Sequence, residues 1–327
     1  MDVAAIAPAP RHNLLLWIAL ASPLAATDAD ALRLAISCTA DELTVFVALQ
    51  DTSSSSTGKD DSSGWSHMQR RITELYAVAA ASYSQEQQQQ QQALLDIVPL
   101  DFCAYSPDDM QPYKHSATLL THSAAPIPEW WPLEMRSNTK SLDGHPPTDN
   151  DNVHLAKQST RTMTPWKSYA HVAVGGTFDH LHVGHKILLT ATALAATKRI
   201  VCGISADALL DNKQYKEYLE AYRTRELNVL LFLRKIRKTI IVELVPIVDR
   251  YGPTITDSSI GALVVSQETL PGSDALNVRR EELGMPPMHL LSIDLVAASG
   301  QTSLDNGAAA SLKISSTAIR AAIAERH

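Results

Sequence analysis

The second half of the chain predicts an α/β fold, a parallel sheet with helices on both faces, and three observations predict it. From residue 169 onward, short apolar runs alternate with amphipathic stretches, which is the pattern of strand–helix–strand units. The runs are rich in Val, Ile and Leu with little polar alternation, as strands covered on both faces are. The first run ends in Gly175-Gly176 and leads into a Leu- and Ala-rich stretch, so a sharp turn or a close approach to a ligand is expected at a strand end.

In order, residues 169–174 read as strand one, and a helix follows from about Val183 to Ala196. Residues 199–205 are strand two. Residues 223–238 read as an amphipathic helix with Leu227, Leu230, Leu231 and Leu233 toward the core. Residues 240–246, 262–266 and 288–296 are strands three, four and five. Crossovers are expected to be right-handed, and ligands to bind at the carboxyl ends of the strands.

The first half predicts a smaller α/β region. Residues 14–20 are an apolar run, 28–36 a short helix and 42–49 a strand with β-branched residues. Residues 51–66 are Ser-, Asp- and Gly-rich and predict a mobile loop. A helix is expected over 68–81, then the glutamine tract 85–92, then a strand over 93–102. Residues 106–167 are polar and proline-rich, with Pro126, Pro128, Pro132, Pro146 and Pro147, and read as a linker. Glu129-Trp130-Trp131 offers a docking point on the following domain, although a lone tryptophan pair is more often local packing. The boundary is placed near 165, giving an N-terminal α/β region over 1–165 and a second domain over 166–327. No motif with chemistry occurs in the first half.

Length and composition narrow the class. A chain of 327 residues accommodates two domains of ordinary size. An apolar share of 45% suits a globular core, and a net charge of −7 argues against a protein held on nucleic acid by its phosphates. Cys38, Cys103 and Cys202 are widely spaced and lack metal-ligand spacing, as buried thiols of a reducing compartment do. Residues 14–24 faintly resemble a secretory signal, but Ser22-Pro23 interrupts them and they are too short to span a bilayer. A cytoplasmic protein without a membrane segment is the expectation.

The chemistry concentrates after strand one. His182-Val-Gly-His185 opens the predicted helix with two imidazoles on one face. Unpaired backbone N–H groups and the helix dipole make that position attractive to an anion. A phosphate there would gain hydrogen bonds from His and backbone as charge builds. Thr177 and Asp179 offer short side chains for the turn. Lys213, past the end of strand two, can reach a phosphate as a point charge, although a surface lysine is the commoner outcome. Arg225 opens the next helix, an unfavourable place for a cation unless it faces an anion. Asn277 and Arg280 share a helical face. Ser315 or Ser316 can cap the last predicted helix, with Arg320 about one turn on. The turn is neither a Walker A loop nor a dinucleotide fingerprint, since Thr177 stands where the second glycine would be.

Gly176-Thr-Phe-Asp-His-Leu-His-Val-Gly-His185 resembles the signature of the HxGH nucleotidylyltransferase superfamily. Asp249-x-Tyr-Gly-Pro-Thr254, Val265-Ser-Gln-Glu-Thr269, Asn277-x-x-Arg280 and Ile314-Ser-Ser-Thr-x-Ile-Arg320 make residues 169–325 similar to the eukaryotic and archaeal type of phosphopantetheine adenylyltransferase. One departure is Ala221, where that family usually has proline, and a local backbone change is expected. The resemblance implies a Rossmann-like domain that transfers the adenylyl group of ATP, carried with Mg²⁺, to 4′-phosphopantetheine, giving dephospho-coenzyme A and pyrophosphate.

It also implies site roles. ATP would be held by Gly175, Gly176, Thr177, Phe178, His182, His185, Ser315, Ser316, Thr317 and Arg320. Thr177, Lys213, Arg225, Asn277 and Arg280 would meet the acceptor, with His185, Lys213 and Thr177 acting in catalysis and no metal held by protein ligands alone. Two alternatives stand beside this reading: a nucleotidylyltransferase acting on another phosphorylated alcohol, and a non-catalytic nucleotide-binding subunit. A fused kinase for the next step is disfavoured, because too little chain follows Arg320. Other coenzyme A pathway enzymes are therefore candidate partners.

Overall fold

The computed structural model describes residues 11–20, 26–37, 39–49, 62–82, 95–99, 105, 107–110, 117–122, 131, 139–141, 167–266, 269–293 and 315–326. The Ser-rich stretch through 61, the glutamine tract, Cys38, Cys103, Trp130, the prolines at 126, 128, 132, 146 and 147, Gln267-Glu268, 294–296 and Lys313-Ile314 lie outside them. The chain divides into two compact units, Met1–Pro165 and Trp166–His327. No helix among the described residues is long and apolar enough to cross a membrane.

The first unit holds a five-stranded parallel sheet in the order β3-β2-β1-β4-β5. Its strands are β1 (Arg11–Leu20), β2 (Thr39–Leu49), β3 (Leu95–Pro99), β4 (Ala117–His122) and β5 (Thr139–Ser141). Helices α1 (Ala26–Ser37) and α2 (Ser62–Ser82) pack on each other, and a one-turn helix α3 spans Pro107–Met110. Two expectations are corrected here. Residues 62–66 belong to α2, not to a loop, and the proline-rich stretch expected to be a linker contributes β4 and β5. Short strands leave little periodicity to read, and β4 joins the sheet by pairing directly with the central strand β1. Trp131 is buried edge-on against Phe46, which is packing within this unit.

The second unit is a parallel sheet in the order β10-β9-β6-β7-β8. Its strands are β6 (Tyr169–Gly176), β7 (Ala196–Ser205), β8 (Ile241–Ile247), β9 (Ala262–Ser266) and β10 (His289–Ile293). Helix α4 (Val183–Ala195) follows β6, α5 (Tyr222–Ile236) precedes β8, α6 (Leu270–Glu282) lies between β9 and β10, and α7 is Ser316–Ala324. Helices α4 and α5 pack together against β6, β7, β8 and β9. The opposite face buries Ala173 and Val201 against Ile260, Leu276 and Met288, with Tyr251 and Ile255 beside them. On that face the chain returns from β8 to β9 through a short 3-10 helix, Gly252–Ile255, in place of a full crossover helix.

Sequence periodicity found only part of the buried face of α5: Leu233 is buried and Leu230 half-buried as expected, but Leu227 and Leu231 are not. Its buried residues are Arg225, Val229, Phe232, Leu233 and Ile236, a regular helical stripe, whereas Leu227 and Leu231 are 47% and 57% exposed. The stripe is anchored by an arginine, so counting apolar residues could not find all of it. Helix α4 carries no side-chain cap and is buried on almost every face, so tertiary packing holds it.

Candidate active site

The site lies at the carboxyl end of β6, the strand at the centre of the sheet. The glycines there do not make the turn. Gly175 and Gly176 continue the strand, and the reversal falls on Phe178 and His180, at φ 53° and 45°. Left-handed backbone at non-glycine residues costs on the order of 1–3 kcal/mol each, and surrounding contacts hold it. The Phe178 ring folds back under the strand, where a Cβ on Gly176 would stand 3.1 Å from it. That close approach explains the glycine. The ring is fully buried and lies 5.3 Å from the His185 ring. It backs the imidazole, so a contact of Phe178 with ATP is left to its backbone.

Next in the turn, Asp179 is fully buried. One carboxylate oxygen accepts the Glu220 N–H at 2.9 Å, and the other accepts from the Arg320 guanidinium. The Glu220 carboxylate accepts the His180 N–H at 2.6 Å, and the His180 ring meets the Tyr218 carbonyl. The turn is thus clamped by the segment before α5 and by α7. Asp179 was expected in the turn, but its partners and the part played by Glu220 were not, because they lie far apart in sequence.

His182 and His185 stand at the start of α4 with their rings stacked, centroids 3.8 Å apart. The Nδ1 atoms of both are buried and make no hydrogen bond. Burial lowers the His182 pKa from 6.5 to about 4, with Asp179 opposing and His180 and Lys186 reinforcing the shift. Burial and then His182 lower His185 well below its ordinary value. Both imidazoles are therefore neutral near pH 7. A helix start carrying two neutral imidazoles is suited to receive an oxyanion.

Lys213 is exposed, with its ammonium unpaired among the described residues; the next carbonyl, that of Gln214, accepts from Arg320 Nε at 3.0 Å. The Thr177 hydroxyl is likewise free among the described residues, while the Thr177 carbonyl is taken by Arg225. On α7, the Ser315 hydroxyl caps the helix through the Ala318 N–H at 3.2 Å. Ser316 donates to the Asp179 carbonyl, and Thr317 accepts from Arg320.

The three predicted phosphate-binding arginines are each buried and bonded to protein partners. Arg225 donates to the carbonyls of Glu220, Thr177 and Ser205 and to the Asp207 carboxylate. It ties the ends of β6 and β7 together beneath the site. Arg320 is spent on Asp179, Gln214 and Thr317.

Asn277 and Arg280 are not at this edge at all. The Asn277 amide brackets the Met288 backbone, donating to its carbonyl at 3.0 Å and accepting its N–H at 2.9 Å. Arg280 donates to the carbonyls of Thr254, Asp257, Ile260 and Pro286. Ile260 and Met288 lead into β9 and β10, so both side chains serve the amino edge, opposite the imidazoles. This corrects their placement against substrate.

The Asp249-x-Tyr-Gly-Pro-Thr254 turn leaves the carboxyl end of β8 and leads back to the Thr254 carbonyl that Arg280 holds. The Asp249 carboxylate accepts the Tyr251 and Gly252 N–H groups, and these bonds hold its pKa down. Gly252 has φ +51°, and a Cβ there would come within 2.4 Å of Ile247. Ala221 has φ −54° and ψ 145°, which a proline ring also adopts, so the departure at 221 requires no backbone rearrangement.

A parallel sheet whose central strand ends in a clamped turn and a paired-imidazole helix start is the architecture of a nucleotidyltransferase. A family described as Cytidylyltransferase-like matches residues 173–322. The chain is 47% identical over 154 residues to an uncharacterized protein of Schizosaccharomyces pombe, covering 47% of this chain and 48% of that one. It is 45% identical over 148 residues to a phosphopantetheine adenylyltransferase of Saccharomyces cerevisiae, covering 45% and 47%. It is 38% identical over 134 residues to the phosphopantetheine adenylyltransferase of Methanopyrus kandleri, covering 41% of this chain and 84% of that protein. The matches span about half the length of the two fungal relatives. The chain belongs to the phosphopantetheine adenylyltransferase family of Cytidylyltransferase-like proteins.

Proposed function

We propose that the protein transfers the adenylyl group of ATP to 4′-phosphopantetheine, forming dephospho-coenzyme A and releasing pyrophosphate. The observation that carries this reading is the stacked, neutral imidazole pair at the helix start that follows the carboxyl end of β6. It stands in a chain whose named relatives are phosphopantetheine adenylyltransferases.

A phosphate oxygen of phosphopantetheine attacks the α-phosphorus of ATP, and the bond from that phosphorus to the pyrophosphate oxygen breaks. The nucleophile is already an anion, so no protein group need form a covalent intermediate. The protein positions two anions and offsets charge that grows on the transferring group. His185 and His182 meet the nucleotide phosphates as the helix start receives them. Lys213 brings a mobile positive charge to the attacking and α-phosphates, and the Thr177 hydroxyl supplies a donor. Mg²⁺ arrives on the triphosphate as part of the substrate.

Ser315, Ser316, Thr317 and Arg320 act by fixing α7 against the turn, which leaves the α7 start facing the same edge. The reaction belongs in the cytoplasm, with other coenzyme A pathway enzymes as partners. Purified protein with Mg-ATP should release pyrophosphate only when 4′-phosphopantetheine is added. Release that instead requires a different phosphorylated alcohol would replace the acceptor in this reading.

A further inference from the structure

The two units repeat one plan. Numbered from its own first strand, each sheet has the order 3-2-1-4-5, and every pairing is parallel. The elements correspond from strand one through the short turn after strand three; α6 and α7 of the second unit have no counterpart among the described residues of the first. Strand one is followed by a helix of 12 residues in the first unit and 13 in the second. Strand two follows, of 11 and 10 residues, and then a second helix that packs on the first in both units. Strand three leads to a four-residue helical turn containing a proline, Pro107–Met110 in one and Gly252–Ile255 in the other. Strands four and five close each sheet on the same side of the centre. The strand order is a common one for doubly wound sheets, and the second helices differ at 21 and 15 residues, so the kinship rests on that order coinciding with first helices of nearly equal length and a short proline-containing turn after strand three.

The chemistry does not repeat. Counted from the helix starts, Asp28 stands where His185 stands, and Thr27 where Gly184 stands. Residues 1–165 contain no His-x-Gly-His. Asp30 adds a second carboxylate one turn into α1, exposed and paired with Arg33 at 2.7 Å, whereas the first turn of α4 carries no acidic residue. Carboxylates at a helix start take the place of an anion and repel another.

We infer that the first unit is a second copy of the nucleotidyltransferase fold that has lost its phosphate chemistry, so the chain is a two-copy protein with one transfer site. The duplication rests on topology; the count of working sites rests on the function proposed above. Titrating the full chain with α,β-methylene-ATP by calorimetry should give one site per chain, and His182→Ala/His185→Ala should remove it. A second site, or a site that survives in that variant, would overturn the silent copy while leaving the transferase reading intact. A crystal structure of the full chain with the same analogue tests the rest. Nucleotide is expected at the end of β6 and absent from the end of β1, over a first sheet of order β3-β2-β1-β4-β5. Any other order in that sheet sinks the duplication. The expected order with no nucleotide at either unit would uphold the duplication and sink the transferase reading instead.

Discussion

The two edges of the second sheet use similar residues for opposite purposes. At the amino edge, Asn277 and Arg280 have their polar atoms matched to backbone, down to both ends of the Asn277 amide. At the carboxyl edge, His182 and His185 keep buried nitrogens unmatched, and Lys213 has no partner among the described residues. Matched groups hold a fold, and unmatched ones wait for a ligand. Arg225 and Arg320 show that position alone does not decide the role. Both stand at the carboxyl edge, and both are spent on holding it together.

The comparison can be broken most decisively at His185. His185→Ala should lower kcat on the order of 100- to 1,000-fold, as loss of a donor to a charged transition state does, with the thermal midpoint nearly unchanged. A large loss of stability with normal activity in the surviving folded protein would reverse the assignment. Arg280→Ala should do the opposite. Stranding several buried carbonyls should cost about 3 kcal/mol of stability in a denaturant titration, while kcat per folded molecule stays within about twofold. Lys213→Ala should lower kcat/KM by about 10- to 30-fold, with no stability change, since an exposed lysine supplies a point charge and little packing.

The pH dependence of stability sharpens the contrast further. His182 binds its proton at about 4 when folded against 6.5 ordinarily, so the unfolded chain holds more protons between those values. Stability from this source is present in full above pH 6.5 and is lost as pH falls toward 4. His182→Gln should flatten the thermal midpoint across that window; an unchanged slope would mean the imidazole is not held neutral. The smallest effect is expected at position 221, where Ala221→Pro should add roughly 0.5 kcal/mol by restricting the unfolded chain.

Much of the second unit was legible because its signals are local. Apolar runs gave the strands, with β9 over Ala262–Ser266 as predicted, and the helix start at Val183 followed from the glycines and histidines before it. The structural role of the arginines was not legible. A guanidinium finds carbonyls on segments up to 106 residues away, as Arg320 does at Gln214, and a carbonyl has no sequence signature. The same blindness hid the pairing of Asp179 with Arg320, 141 residues on. In the first unit, three-residue β5 and six-residue β4 are too short to show a period among prolines. The repeated sheet order became visible with the strand pairings, because no motif recurs between the halves.

The stacking of His182 on His185 has a consequence for how the protein handles protons. At 3.8 Å between centroids, a charge on one ring makes a charge on the other expensive, and His182 already depresses His185 in this way. The rings titrate as a coupled pair whose apparent constants belong to neither alone. An NMR titration of the free protein would therefore show two well-separated steps, the second at markedly lower pH. The packing of the two rings thus keeps the end of β6 free of imidazolium charge at neutral pH, so a polyanion settling there meets neutral rings.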